Sequence, residues 1–305
     1  MRILLILITI IFTCNCYGQT MSEIKKLLHE KNFQSFKPYI DSGYSNPRKS
    51  NLTARWIILR EVLPGFQEGI VEVEENVPAD DNTGGNWIYT YHINLLSDDK
   101  EIFYYSFNKK NSNENNWEDY FDPVDTFKSA NKFNEFEAAF LKTYNAQLVK
   151  ADLFQKIVYG GACGIAGIPT QYQQKLDSLL RVKNIQSIRL WLKSANTEKQ
   201  LYALMGLKAL SRNGYKLTSE DTRLIKLINQ KKGMVNTCGG CIYSTEPVQD
   251  IAAQIKAWNG DYYIFENSNK KRIKNKFIIP TVILSAILFF LALVRNLPSV
   301  RGASS

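Results

Sequence analysis

The chain carries an uncharged, strongly apolar segment close to its C-terminal end, and this segment limits the possible architectures more than any other feature. Every residue from Phe277 to Val294 is uncharged, in the order FIIPTVILSAILFFLALV. At about 1.5 Å per residue, a helix of this length reaches about 27 Å, which is close to the thickness of a bilayer core. The sequence therefore predicts one transmembrane helix over 277–295 and a short tail over 296–305. A helix buried in a protein core is the alternative.

The N-terminal end has the build of a secretory signal peptide. Arg2 precedes an apolar run from Ile3 to Phe12, and small or polar residues follow. Because this run is short for a membrane span, it favours a cleaved signal over 1–18 rather than an uncleaved anchor. Together with the late span, it predicts a single-pass protein of the cell membrane with the bulk of the chain outside the cytoplasm, in a periplasmic or extracellular space.

The predicted juxtamembrane linker over 263–276 is basic. Only Arg295 and Arg301 follow the span, so the charge distribution opposes the positive-inside rule and leaves the inverted orientation open. In the exported orientation we expect the linker to contact anionic lipid headgroups. Its basic residues are Lys270, Lys271, Arg272, Lys274 and Lys276.

The formal net charge of +9 is concentrated at the two ends of the chain. Residues 1–18 contribute +1 and residues 270–305 contribute +7, which leaves +1 for 19–269. A nearly neutral body gives no reason to expect a nucleic-acid partner. Within the body, residues 19–169 have a balance of −5 and residues 170–236 a balance of +9. This contrast favours two modules of opposite sign.

The first of these modules is predicted to be an acidic α+β body over 19–150. Ile24, Leu27 and Leu28 recur at helical spacing behind a Ser22 cap. Runs rich in aromatic and β-branched residues follow, as expected for strands.

Two of these strands, joined by a predicted hairpin at 97–100, place apolar residues on one face of a sheet. This face can bury a core or form a ligand groove, and the half-buried character of most sheets favours the core. Phe133, Phe136 and Phe140 follow at helical spacing, so a second helix is predicted to cover the sheet, in the order helix, antiparallel sheet, helix. The residues of the apolar face are Trp87, Tyr89, Tyr91, Ile93, Leu95, Phe103, Tyr105 and Phe107.

The second module, 151–262, is predicted to be all-α. The stretch TEKQLYALMGLKALS over 197–211 is apolar nearly all round, which is typical of a central helix. From IRLWLKSANTEKQ to TSEDTRLIKLI the chain resembles HEAT-like helical repeats, over about 171–258, although no strict repeat period is present. The resemblance implies a binding scaffold with a concave face and no chemistry of its own.

Three cysteines remain in the predicted mature chain: Cys163, and the pair Cys238 and Cys241 in a Cys-Gly-Gly-Cys sequence. In an oxidising compartment these thiols are expected to pair. A bond from Cys163 to either of the other two would tie the first turn of the helical module to its last and stabilise it by about 4 kcal/mol. A local bond between Cys238 and Cys241 would close almost no loop.

A redox pair and a metal site are the other possibilities for these cysteines. A thioredoxin-like motif should follow a strand and open a helix, whereas here a helix is predicted before the motif. A zinc site lacks an obvious fourth ligand, since both histidines of the chain lie in the other module.

The sequence contains none of the short motifs of the common enzyme classes, such as a nucleophile elbow, a P-loop or a zincin helix. We therefore expect binding rather than catalysis, with no cofactor and no metal. The predicted function is that of an interaction or scaffold protein at the membrane surface, with the lipid bilayer and another protein as partners. The alternative is a thiol–disulfide redox protein, or an accessory to one, that uses Cys238 and Cys241.

Overall fold

The computed structural model describes residues 20–43, 51–79, 85–112, 119–164 and 166–259. The predicted signal peptide, the basic linker with its five lysine and arginine residues, the predicted transmembrane helix and the tail all lie outside the described residues. Within the ranges described, no helix is both long and apolar enough to cross a membrane.

Eight α-helices and seven strands are formed by the described residues. The helices are α1 (Met21–Glu30), α2 (Phe33–Gly43), α3 (Ala130–Tyr144), α4 (Gln171–Arg181), α5 (Ile185–Leu192), α6 (Thr197–Arg212), α7 (Ser219–Asn229) and α8 (Val248–Ala257). The strands are β1 (Leu52–Leu63), β2 (Phe66–Pro78), β3 (Asn86–Ser97), β4 (Ile102–Ser112), β5 (Asp119–Lys128), β6 (Met234–Gly239) and β7 (Ile242–Pro247).

Strands β1 to β5 form one antiparallel sheet in which each strand pairs with the next along the chain. The turn from β3 to β4 is closed by Asp98, whose carboxylate accepts the backbone N–H groups of Lys100 and Glu101 at 2.8 and 2.7 Å. An aspartate that binds the backbone of the following residues is a common turn device. The predicted hairpin at 97–100 is confirmed.

One face of this sheet packs against α1 and α2. Val71 and Val73 of β2 and Ile93 and Leu95 of β3 are buried there, because alternate residues of a strand point to the same side. The core interpretation of this face is confirmed for Ile93, Leu95, Tyr105 and Phe107, and Trp87 at its outer end is 59% exposed. It is wrong for Phe103, which is an extra residue of β4 at an irregularity in the pairing with β3 and packs on Phe66 and Phe136 instead. The helices contribute Ile24, Leu27, Leu28, Phe33, Phe36 and Ile40.

A second hydrophobic cluster joins the other end of the sheet to the helices that follow it. The ring of Phe136 in α3 lies 5.4 Å from that of Phe66 and 5.8 Å from that of Phe103. The same cluster continues without a break into α4 to α8, with α6 at its centre. The predicted central helix over 197–211 is confirmed, and the sheet lies between two cores.

The predicted fold class, a helix–sheet–helix module followed by a separate all-α HEAT-like module, is wrong. The sheet is central, and the chain after α7 returns to strand as the β6–β7 hairpin. Backbone contacts then join this hairpin to the sheet: Glu61 N–H donates to Lys232 O at 3.0 Å, and Gly233 forms a bridge with Arg60.

The physical reason for this error is the approach of β6 to β1. At Gly233, φ is +102°, and a side-chain Cβ added there would collide with Arg60 Cα. Only glycine fits such a contact. Helical periodicity in the neighbouring segments carries no information about this contact.

A buried charge network crosses the same junction. Arg60 Nε donates to Glu68 Oε1 at 2.7 Å, and Arg60 Nη1 donates to Glu198 Oε2 in the first turn of α6. All three side chains are fully buried. The remaining carboxylate oxygens accept backbone N–H groups, Glu68 from Phe154 at 2.9 Å and Glu198 from Asn236 at 3.1 Å. The network therefore links β1, β2, α6, β6 and the segment between α3 and α4, called the segment after α3 below.

We expect Arg60→Met to lower the free energy of unfolding by about 3–5 kcal/mol, because two carboxylates remain buried without their cation. The matched control is Arg55→Met on the same strand. The Arg55 side chain is 57% exposed and pairs with Glu72, so its loss should cost about 1 kcal/mol or less. Urea unfolding of both variants provides the measurement, and equal losses would contradict a special role for the buried network.

Lys231 is a fourth charged residue of this junction and is fully buried. Its ammonium lies 3.4 Å from Thr197 Oγ1 and 5.7 Å from the centre of the Tyr144 ring. Burial and the neighbouring Arg60 charge lower the pKa of Lys231 to about 7. The folded state therefore holds this lysine partly neutral near neutral pH.

The stability of the protein should consequently rise with pH above about 7. Between this value and the unfolded pKa of about 10.4, the unfolded state binds more protons than the folded state, so Lys231 adds a slope of up to about 1.4 kcal/mol per pH unit. Lys231→Met should remove this slope, whereas Lys232→Met, at the exposed neighbour, should keep it. Urea midpoints measured from pH 6.5 to 9.5 check this, and an unchanged slope in Lys231→Met would refute it.

Candidate functional site

The face of the sheet turned away from α1 and α2 is apolar at the end that joins the second cluster and polar elsewhere, and its polar part, called the polar face below, forms a pocket of about 500 Å³. Strand alternation places these residues together, because Glu72 pairs with His92 and His92 with Asn108 across three neighbouring strands. The lining residues are Glu72, His92, Asn94, Asn108, Lys110, Phe121, Phe154 and Lys156.

A β-bulge places Phe121 in this pocket. Asn108 pairs with Pro123 while Phe107 pairs with Asp125, so Val124 is an extra residue in β5. Without an extra residue, Phe121 would share a face with Phe127, which packs against the α1–α2 core. The bulge instead turns Phe121 to the polar face, where its ring stacks on that of His92 with centroids 4.8 Å apart.

The segment after α3 supplies the remaining wall of the pocket. Phe154 adopts a left-handed backbone conformation with φ of +60°, and its N–H donates to Glu68 in the buried network. Its ring stacks on Tyr104 with centroids 5.7 Å apart. Asn196, just before α6, donates to Gln155 O at 3.1 Å. These contacts fix the backbone on both sides of Gln155 and so place Lys156 at the pocket.

Glu72, His92 and Lys156 form a hydrogen-bonded row. His92 Nε2 lies 3.3 Å from Glu72 Oε2, and His92 Nδ1 lies 3.5 Å from Lys156 Nζ. An ionised carboxylate only accepts and an ammonium only donates, so the partners assign the proton of the neutral imidazole to Nε2. Arg55 donates to the same carboxylate of Glu72 at 2.5 and 3.1 Å.

These contacts set the ionisation of the row. Burial and the Lys156 ammonium lower the pKa of His92, although the hydrogen bond to Glu72 opposes them. Burial alone would raise the pKa of Glu72, but the hydrogen bonds from Arg55 and His92 lower it overall. At neutral pH the row therefore contains an ionised Glu72 and a neutral His92.

Two amides complete the polar surface. Asn94 Nδ2 and Asn108 Nδ2 both lie within reach of Ser106 Oγ, at 3.4 and 3.2 Å. Each amide nitrogen carries two N–H groups, and the Ser106 hydroxyl oxygen can accept one hydrogen bond from each amide. The pocket thus combines hydrogen-bond donors with two aromatic walls, which is the usual composition of a small-molecule site.

Two smaller pockets are less suited to a ligand. One, of about 390 Å³, contains Arg189 and Asp221, which bind each other at 2.9 and 3.0 Å. Asp221 also forms the capping box of α7 with Thr218. The other, of about 330 Å³, lies at the β1–β6 junction beside Gly233. Their polar groups serve the fold.

The predicted cysteine site is arranged as a staple. Cys163 and Cys238 form a disulfide with Cα atoms 5.7 Å apart, across a sequence separation of 75 residues. Cys241 is a free, exposed thiol near the tip of the β6–β7 hairpin. The segment of Cys163 runs along this tip, with Gly164 N–H donating to Gly240 O at 2.7 Å. The long-range pairing of Cys163 with one of the two later cysteines is confirmed, and the alternative, a local bond between Cys238 and Cys241, is not formed.

No group of three histidine, cysteine, aspartate or glutamate side chains that could hold a metal ion is found in the part of the chain that the structure describes. His29 lies on α1 beside Asp125, at 3.2 Å, on the other side of the sheet from His92. The five basic residues predicted to contact the membrane fall beyond the described ranges.

Sequence reasoning missed the pocket because it followed the apolar face of β3 and β4. The intervening residues His92, Asn94, Asn108 and Lys110 were available as a signal, since their even spacing puts them on one opposite face. Lys156 could not be placed in this way, because its position depends on long-range contacts of the segment after α3.

No protein-family model matches the chain, and neither a curated protein nor a solved structure matches it. The pocket on the polar face is the candidate site on its geometry, since a formed pocket with convergent polar groups and a shifted histidine pKa is the usual mark of a binding site.

Proposed function

We propose that this chain is an exported, membrane-anchored binding protein that recognises its partner or ligand with the polar face of its central sheet. The observation that carries the proposal is the composition of this face: one side of the sheet is buried core, while the part of the other side that the second core leaves uncovered keeps His92, Asn94, Asn108 and Lys110 around a pocket. Polar residues kept at positions where the fold does not need them are characteristic of functional sites.

Export is supported by the cysteines. The bond between Cys163 and Cys238 would persist in an oxidising compartment and would be reduced in most cytosols. The apolar segment 277–294 and the basic residues before it support a membrane anchor by their composition. Anchorage, orientation and the protein partner belong to this proposal.

The binding role predicts that the polar face is not optimised for stability. We expect Asn94→Leu to leave the melting temperature unchanged or to raise it, because leucine favours a strand more than asparagine does and the substitution removes only a long 3.4 Å hydrogen bond to Ser106. The control is Asn196→Leu, which removes the cap of α6 and a partly buried hydrogen bond to Gln155 and should cost about 2 kcal/mol or more.

Calorimetric melting of the two variants provides the comparison. Equal destabilisation would show that the polar face serves folding, and the proposed binding role would lose its main support.

A second candidate function is thiol–disulfide exchange at the hairpin tip. It is favoured by the exposed thiol of Cys241, three residues after a disulfide-bonded Cys238 and beside the segment of Cys163. The Cys241 thiolate would attack Cys238 Sγ, form a bond between Cys238 and Cys241, and release Cys163 as a thiolate. No external oxidant is needed, because one disulfide replaces another.

Mapping the cysteines on intact cells that express the full chain tests export and separates the two candidates. A membrane-impermeant maleimide should label Cys241 before reduction, and Cys163 and Cys238 only after an impermeant reductant has been added. Partial labelling of Cys163 before reduction, abolished in Cys241→Ser, would favour exchange. Labelling that requires permeabilised membranes would place the body in the cytosol and contradict export.

A further inference from the structure

We propose that the pocket on the polar face binds the ring of a neutral sugar. The proposal rests on the binding function given above and adds the chemical class of the ligand. It depends on three features of the pocket: charges that are already paired, amide groups that are left for a ligand, and an aromatic ring that remains exposed.

The charged side chains of the pocket favour a neutral ligand. Glu72 accepts two hydrogen bonds from Arg55 and contacts His92, so its carboxylate is compensated within the protein. Lys110 and Lys156 both have partners within the protein as well, and the Lys156 ammonium lies 3.5 Å from the His92 ring. A charged ligand would find no unpaired opposite charge on these three residues, whereas an uncharged ligand leaves their contacts in place.

The polar groups that remain for a ligand are two amides. Asn94 pairs with Ser106 across β3 and β4, and Asn108 follows Ser106 two residues later on the same face. Each amide donates one N–H to the Ser106 hydroxyl, at 3.4 and 3.2 Å, and binds no other side chain among the described residues. Each therefore keeps one N–H donor and its carbonyl oxygen. A donor and an acceptor side by side match two neighbouring hydroxyl groups of a sugar ring, because a hydroxyl can both donate and accept.

Phe121 supplies an aromatic surface for the body of the ligand. Its ring stacks on that of His92 with centroids 4.8 Å apart, yet the residue remains 43% exposed and lines the pocket. The face of an aromatic ring is partly negative and attracts the C–H groups of a sugar, which neighbouring oxygens make partly positive. The pocket volume of about 500 Å³ lies within the range of about 300–1,000 Å³ that small ligands occupy. Amides for the hydroxyl groups and a ring for the C–H groups together match a sugar.

Strands β4 and β5 also provide matched controls. Tyr120 and Phe121 are consecutive residues of β5, so they point to opposite faces of the sheet, and Tyr120 is 50% exposed. Asn108 and Asn111 lie on opposite faces of β4 in the same way, and Asn111 donates to Asp122 at 2.6 Å. Phe121→Leu and Tyr120→Leu each remove one exposed aromatic ring, and Asn108→Ala and Asn111→Ala each remove one amide. Only the first variant of each pair changes the pocket.

The test follows the two histidines of the purified full chain by NMR while sugars are added, in a detergent without a sugar headgroup. The probes are the methyl glycosides of glucose, galactose, mannose and N-acetylglucosamine. Cyclohexanol, a ring without neighbouring hydroxyls, and nicotinamide, a flat aromatic amide, are the comparison compounds. We expect at least one sugar to shift the His92 resonance with a dissociation constant of about 1 mM, as a ligand of about a dozen atoms allows. Both comparison compounds should bind at least about tenfold more weakly. The His29 resonance, assigned with His29→Gln, should stay in place.

The variants and the salt concentration give two further readouts. Phe121→Leu and Asn108→Ala should each weaken binding of the tightest sugar by about fivefold, while Tyr120→Leu and Asn111→Ala should leave it unchanged. Melting temperatures of the four variants without ligand separate the loss of a contact from the loss of the fold. Raising sodium chloride from about 50 mM to about 500 mM should change the dissociation constant by less than about twofold, because salt screens only charged groups.

Comparing the tightest methyl glycoside with its free sugar identifies the source of the ligand. Similar affinities indicate a sugar carried on a larger glycan, because the methyl group stands where the glycan chain continues. A clear preference for the free sugar indicates a monosaccharide in solution. Either result supports the inference.

Four results would overturn it: no shift of His92 by any of the four sugars up to about 50 mM, cyclohexanol or nicotinamide binding as tightly as the tightest sugar, equal weakening within each pair of variants, or a salt effect above about tenfold. They leave the broader binding role to be judged separately by the Asn94→Leu and Asn196→Leu comparison, which uses no ligand. Destabilisation of Asn94→Leu together with an absence of binding would overturn both.

Discussion

The ion pairs that Arg60 makes with Glu68 and Glu198 determine how the central sheet packs against the helices that follow it. A guanidinium with no access to water needs carboxylates in fixed positions, and those carboxylates come from a hairpin of the sheet and from the first turn of α6. A buried network of this kind adds little net stability compared with an apolar core of the same shape, but it tolerates only one relative placement of its members. It therefore specifies how the sheet and α6 meet.

The same network reaches the proposed ligand pocket. Glu68 uses one oxygen for Arg60 and the other for the N–H of Phe154, whose side chain lines the pocket. The left-handed conformation of Phe154 has a backbone cost, and the bond to Glu68 offsets part of it. The position of one pocket wall is thus set by an interaction that lies in the protein interior.

Local features of the fold could be predicted from the sequence, and long-range ones could not. Alternation along β3 and β4 identified the buried face except at Phe103, where an irregularity in the strand pairing breaks the alternation, and the apolar circumference of 197–211 correctly identified a central helix. The start of α7 is marked by a full capping box between Thr218 and Asp221, whereas α1 begins behind Thr20 rather than the predicted Ser22. Each of these features depends on residues within a few positions of one another.

The errors came from contacts between distant segments. The β6–β7 hairpin was taken as part of a helical module because Cys238-Gly-Gly-Cys241 was treated as a redox or disulfide motif, not as a turn between strands. Of the predicted pairings, the Cys163–Cys238 bond is present, but only the folded chain shows which of the two later cysteines is used. The pocket combines residues from β2 to β5 with Lys156, and the position of Lys156 depends on a glutamate 88 residues earlier in the chain.

The bulge at Val124 has a further consequence, because β5 is the last strand of the sheet. The backbone groups of an edge strand can pair with a strand of another chain, and an exposed apolar ring such as Phe121 beside them favours such aggregation. Pro123 removes one backbone donor from this edge, Val124 interrupts the regular spacing, and Asp122 and Asp125 add repelling charge. These features make the exposed aromatic ring at the rim of the sheet less favourable for edge-to-edge strand pairing than a regular, uncharged edge would be.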